Sequence, residues 1–340
     1  MNDSNTIEFQ VSSTSLSVVE TRSTLLNGSA LDEKESFGVL GYCVPYDNNK
    51  LSYAAASAPW DDKKRNSAPD VFAPDKSGVI PNVYCVDGVW QYSGYEQWIT
   101  NSEGGLYLPS KYTYSFFAYY PYDNGGWTVS NVSSGDRGAP KFTYKVPFEK
   151  GSDGYIVDDN IKDVMLAARY NHLRADGPVP LNFNHLLTAI KIKLHNYDET
   201  SVSIQKITLS GSFYQTVLFD FLDGSATYSS TLYPGEFNFG GYSALGQNEE
   251  TTLEKAILLL PNASRSLGSN VKLNVYYNGN TTPVTFPKDG SNLLNASAGT
   301  IYTITLSFVD NTLMLFTQSD NKWENGDDSE NSNSNSSTIL

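Results

Sequence analysis

Apolar and polar side chains alternate with a period of two along almost the whole chain, and this pattern leaves few options besides β-sheet. The stretch "TIEFQV" puts Ile7, Phe9 and Val11 on one face and Glu8 and Gln10 on the other. "KLNVYY" repeats the pattern with Leu273, Val275 and Tyr277, and "TIYTITLSFV" sets Ile301, Ile304 and Leu306 among threonines, whose β-branching suits a pleated surface. "VSIQKITLSGSF" and "TLMLFTQ" add two more strands, the last with Leu313 and Leu315 in phase. Turn residues punctuate the series: "DNGG" from Asp123, "YNGN" from Tyr277 and "KDGSN" from Lys288. Strands at such short intervals predict antiparallel sandwiches.

Helical spacing is scarce. "EKAILLLP" reads as a buried strand stopped by Pro261 as readily as a helical turn, and "NIKDVMLAARYN" mixes the two periods. Residues 61–82 form a long polar excursion rich in Pro, Asp, Ser and Lys. "RADGPVP" (Arg174 to Pro180) reads as a hinge, because two prolines and a glycine interrupt pairing. The 340 residues therefore divide into a β domain over 1–176, a second over 177–326, and a polar tail over 327–340 too poor in apolar residues to order itself.

The net charge of −14 opposes nucleic acid or an anionic membrane surface as a partner, since either needs clustered Lys and Arg. No run approaches the roughly 20 apolar residues of a membrane helix. "NDSNT" after Met1 has no signal-peptide character, so the chain reads either as cytosolic or as an exported protein in trimmed form. Cys43 and Cys85 lack the second pair that a zinc site needs and read either as a disulfide or as two thiols.

Chemistry in this chain begins with His185, one of three histidines, held in "LNFNHLLTAIKIKL". Phe183, His185 and Leu187 share one parity and Ile190, Ile192 and Leu194 the other, so a bulge or tight turn is expected near Leu186 to Ala189. His185 then reads as a structural residue whose ring satisfies backbone groups left open there. His172 and His195 show no metal-ligand spacing with it. "GGYSALG" misses the nucleophile-elbow pattern, because Leu245 stands where the final glycine belongs. A Ser243–His185 pairing would need remote residues to converge. The adjacent pair Asp158 and Asp159 points to opposite faces of a strand, which suits a solvated or Ca²⁺-binding loop better than a glycosidase. No enzyme, metal or cofactor is expected.

"YSFFAYYPY" (Tyr114 to Tyr122), "DVMLA" (Asp163 to Ala167), "LNFNHLLTAIKIKL" and "NKWENG" (Asn321 to Gly326) occur in an order that resembles the fimbrillin-like (Mfa-like) family of the Bacteroidales. That resemblance implies two transthyretin-like antiparallel β-sandwich domains in tandem, with short helical turns. It implies an exported lipoprotein precursor at the outer membrane, anchored there only by its lipid, and assembly with other fimbrial subunits. In the family an arginine-directed protease removes an N-terminal segment, and a neighbour's strand fills the groove. "VVETRSTLL" offers Arg22 and Ser23 as the processing point, which makes 1–22 the candidate cleaved segment. The candidate exchange strands are those of Ile7, Phe9 and Val11 and of Leu313 and Leu315. The hydrophilic "ENGDDSENSNSNSS" departs from an apolar donor tail and keeps a tip or accessory position open. The tip reading implies an adhesin for host or bacterial surface glycans or proteins, with Trp90, Tyr92 and Trp98 sharing strand parity as a stacking platform.

Overall fold

The apolar phase of each segment decides which sheet face it lines, and the computed structural model of the chain shows where those faces meet. It describes residues 7–13, 35–45, 70–75, 77–92, 112–122, 126–132, 139–158, 161–221, 225–261, 266–288, 293–322 and 338–339. Over the first half the strands are β1 (Phe9–Ser13), β2 (Ser36–Pro45), β3 (Asp70–Phe72), β4 (Asn82–Val86), β5 (Val89–Tyr92), β6 (Tyr112–Tyr120), β7 (Trp127–Ser130), β8 (Lys141–Lys145), β9 (Glu149–Lys150), β10 (Ile156–Val157), β11 (Met165–His172) and β12 (Val179–His185). Eight of them form one sheet in the order β1-β12-β11-β6-β2-β4-β5, with β3 sharing the outer edge of β2. This sheet curls until its two ends face each other: the Tyr92 hydroxyl on β5 donates to the Ile7 carbonyl at 3.0 Å, just ahead of β1. The result is a near-barrel.

Its centre is β6. "YSFFAYYPY" is buried without a break from Tyr114 to Pro121, because the strand is covered on both faces. Phe116, Ala118 and Tyr120 belong to the apolar cluster inside the curl, whereas Phe117 and Tyr119 join the larger cluster outside it. The rings fit because β2 carries glycines directly opposite two of them, Gly38 against Tyr119 and Gly41 against Phe116. A methyl group at Gly38 would land in the Tyr119 ring, and one at Gly41 would meet Phe116 at 3.0 Å and Phe72 at 3.1 Å.

The second half continues with β13 (Thr188–Asn196), β14 (Val202–Tyr214), β15 (Thr216–Asp220), β16 (Ser225–Tyr228), β17 (Leu232–Leu245), β18 (Glu250–Thr252), β19 (Ile257–Leu259), β20 (Gly268–Tyr277), β21 (Val284–Phe286), β22 (Thr300–Val309), β23 (Thr312–Lys322) and β24 (Thr338–Ile339). A six-stranded sheet (β18-β13-β22-β23-β24, with β19 also on β13) and a four-stranded sheet (β17-β14-β20-β21) line the outer cluster. A third, β16-β15-β8-β7, takes two strands from each half and so ties them by backbone pairing. The "YNGN" turn forms as its residues require, with Asn278 and Gly279 at φ 51° and 74°.

Several sequence expectations change in detail. Most pairings are antiparallel, but β1 runs parallel to β12 and β13 parallel to β22. Within "NIKDVMLAARYN" the residues from Met165 onward belong to strand β11, irregular between Arg169 and His172, because its two edges pair with β6 and β12. The helical element among the described residues is a 3-10 turn at Arg174–Asp176. "RADGPVP" closes a hairpin between β11 and β12 within one sheet, with Gly177 at φ 84°. The step to the six-stranded sheet comes later, at Leu186–Leu187. The phase switch after His185 is therefore no bulge within one strand but a crossing between two sheets. In the tail, Thr338 and Ile339 pair with Phe316 and Leu315, where the edge of β23 offers open backbone groups. Residues 323–337 lie outside the described residues.

Candidate functional site

The groove that holds β1 is the first candidate. Ile7, Phe9 and Val11 point into the curl and are nearly sealed from solvent, while Glu8 and Gln10 face outward. Five residues pair in parallel with β12, from Phe9 opposite Val179 to Ser13 opposite Phe183, and the Val179 amide donates to the Glu8 carbonyl at 2.7 Å. Burying three such side chains contributes about 5–9 kcal/mol. Ordering the backbone of the five paired residues costs about 5–10 kcal/mol. The two nearly cancel. Among the candidate exchange strands, β23 is committed elsewhere. Leu313 and Leu315 are buried in the six-stranded sheet, where β22 pairs along the length of β23.

The hairpin that presents β12 to β1 is fixed by His172. Its Nε2 donates to the Gly177 carbonyl at 3.0 Å, and its Nδ1 lies 3.9 Å from Asp176 Oδ2. Burial holds this imidazole below its ordinary value of 6.5, against the opposing pull of the Gly177 hydrogen bond and the Asp176 carboxylate. Above about pH 6.5 the ring is neutral in both folded and unfolded chains. Below it the unfolded chain takes up the proton first, so stability falls as the pH drops toward the lowered native value. The urea midpoint is expected to fall between pH 7 and pH 5, and to fall less in His172→Gln, which keeps a donor but does not titrate. Equal losses in both proteins would contradict this.

His185 ends β12. Its Nδ1 donates to Asp163 Oδ2 at 2.6 Å, and both side chains are only 1% exposed. The sequence reading gave this ring backbone partners, yet its short contact is with a carboxylate, placed by Asp163 lying two residues before β11. The other Asp163 oxygen, Oδ1, is buried without a hydrogen-bond partner. The sequence placed Asp163 at the head of the "DVMLA" motif but gave it no role, because an aspartate ahead of a strand does not announce its partner. His195 packs on Tyr197 at 3.8 Å and lies 3.7 Å from Glu250, so the three histidines serve three separate places.

The remaining sequence candidates separate similarly. Ser243 is exposed on β17 and does not share a surface with the sealed His185 ring. Asp158 is buried and paired with Lys255 Nζ at 2.8 Å. Cys85 is a free thiol on β4. Trp90 and Tyr92 do share a strand face, but it is the inward one, with Trp90 5.3 Å from Phe37 and Tyr92 4.9 Å from Phe72 between ring centroids. Arg22, Ser23, Asp159 and Trp98 lie outside the described residues. Among those described, no three His, Cys, Asp or Glu side chains group as a metal site, and no helix is long and apolar enough to cross a membrane.

The family model described as fimbrillin-like matches residues 70–323. The chain belongs to the fimbrillin-like family. A general structural or adhesive role at the cell surface is typical of that family. This fimbrillin-like chain is similar in fold to a putative cell adhesion protein from Bacteroides ovatus, with a TM-score of 0.50 at 16% identity over 95% of this chain and 99% of that one. A putative cell adhesion protein from Bacteroides uniformis gives 0.49 at 14% identity, over 94% and 100%. The fimbrial anchor protein Mfa2 from Porphyromonas gingivalis gives 0.36 at 12%, over 92% and 97%. No curated protein matches the chain.

Proposed function

We propose that this fimbrillin-like chain is a fimbrial subunit of the cell surface, exported as a lipoprotein precursor, that assembles by strand exchange once proteolysis frees its N-terminal segment. The observation that carries the reading is β1 itself. It is an outermost strand of the curled sheet, it ends at Ser13, and it therefore lies wholly ahead of Arg22. A cut after Arg22 leaves β1 held by contacts alone. Losing it exposes the apolar interior and one edge of β12, and an incoming strand from another subunit repairs both. Such contacts run head to tail and build an open filament. The two apolar clusters, one inside the curl and one among the remaining sheets, support reading the fold as two transthyretin-like sandwiches in tandem. Brief treatment with a trypsin-like protease is expected to give a new N-terminus at Ser23, read by sequencing. A first cut elsewhere, with Arg22 intact, removes the processing step from this reading.

A further inference from the structure

Away from β1, the β9–β10 hairpin packs beside β17 and the chain entering β19, and a cavity of about 390 Å³ opens between them. That volume is in the range of small-ligand sites. Lys255 ties the walls together: its ammonium lies 2.8 Å from Asp158 Oδ1 and donates to the Asn238 carbonyl at 2.8 Å. The Asn238 side-chain oxygen accepts from the Gly240 amide at 2.9 Å, which leaves the side-chain nitrogen to donate. Tyr155 forms another part of the lining, with its hydroxyl held by Lys206 Nζ at 2.8 Å. Ile156 and Phe239 add apolar surface, and Asp153 and Glu254 bring exposed carboxylates to the opening.

We propose that this cavity binds one pyranose unit of a neutral glycan. Such a ligand uses every group in the lining. Its hydroxyls donate to the carboxylates of Asp153 and Glu254 and accept from Lys255 and Asn238, while a C–H face lies on the Tyr155 ring. A plain ammonium ligand would leave the donors unused and meet Lys255. An anionic sugar would face three carboxylates against one ammonium. The carboxylates do not group as a metal site. The site is distinct from the Trp90 and Tyr92 face, which points inward. None of its residues belongs to the inner cluster that holds β1, so it stands whether or not strands are exchanged.

Saturation-transfer NMR on the full chain tests it. The probes are the methyl glycosides of glucose, galactose and mannose and N-acetylglucosamine, with N-acetylneuraminate and cadaverine as the anionic and cationic controls. Transfer to at least one neutral sugar is expected, with little to either control. Glu254→Ala is expected to weaken that binding about tenfold, the loss of one charge-assisted hydrogen bond. Its urea midpoint should stay unchanged, because Glu254 is exposed. Tyr197→Ala, which removes an exposed ring outside the cavity, should bind as the parent does. Absence of transfer to every neutral sugar, transfer confined to a control, or binding that Glu254→Ala leaves intact overturns the proposal.

Discussion

Replacing His185 by leucine is expected to lower the unfolding free energy by about 3–5 kcal/mol, the range for breaking a buried, paired charge. The ring and the Asp163 carboxyl group are each 1% exposed, so water cannot take the place of the lost 2.6 Å hydrogen bond. Asp163 Oδ1 already has no hydrogen-bond partner, and the substitution leaves Oδ2 without its imidazole. The double variant Asp163→Leu, His185→Leu removes both polar groups and is expected to recover much of the loss, because an apolar pair of similar volume has no desolvation to offset. Urea unfolding of the two single variants and the double one measures this directly. A single-variant loss below about 1 kcal/mol would show that the pair contributes little.

Phe9→Asp is expected to expel β1 while the rest of the protein stays folded. The change forfeits about 1.5–3 kcal/mol of burial. It also places a carboxylate among four rings, those of Phe37, Phe72, Tyr92 and Phe116, with no cationic partner among the ring contacts. Since burial and ordering nearly cancel for β1, this is more than its docking can absorb. The six- and four-stranded sheets share no residue with the inner cluster, so they should keep their structure. Exchange protection of the β1 amides should vanish, an apolar-surface dye should bind, and the protein should self-associate. A variant with protected β1 amides would show that the strand is integral to the sheet.

How far the fold was legible follows from where each residue's partners lie. The strands of Phe9, Leu273, Ile304 and Leu313 carry their signal locally, in alternation that the pleat translates straight into faces. The unbroken apolar run at Tyr114 to Tyr122 marks a strand covered on both sides, but nothing in it says which sheets do the covering. Glycines 38 and 41 acquire meaning only once β2 lies opposite Tyr119 and Phe116. The prolines and glycine of Arg174 to Pro180 announce a chain reversal and a linker equally well, and only the pairing of Met165 with His185 distinguishes them. The site was half legible. Ile7, Phe9 and Val11 were evident as an inward face, whereas the rings around Phe9 come from strands 28 to 107 residues away, beyond the reach of local pattern. Likewise the partner of His185 lies 22 residues upstream, just ahead of another strand.

The central claim is that β1 is a replaceable occupant of its own sheet. Cutting the purified chain after Arg22 under native conditions, then following peptide release and particle mass by light scattering, tests it most directly. Departure of residues 1–22 with growth of the remainder into linear polymers is the expected result. A cut chain that stays monomeric and gives up its N-terminal peptide only in denaturant would contradict the account.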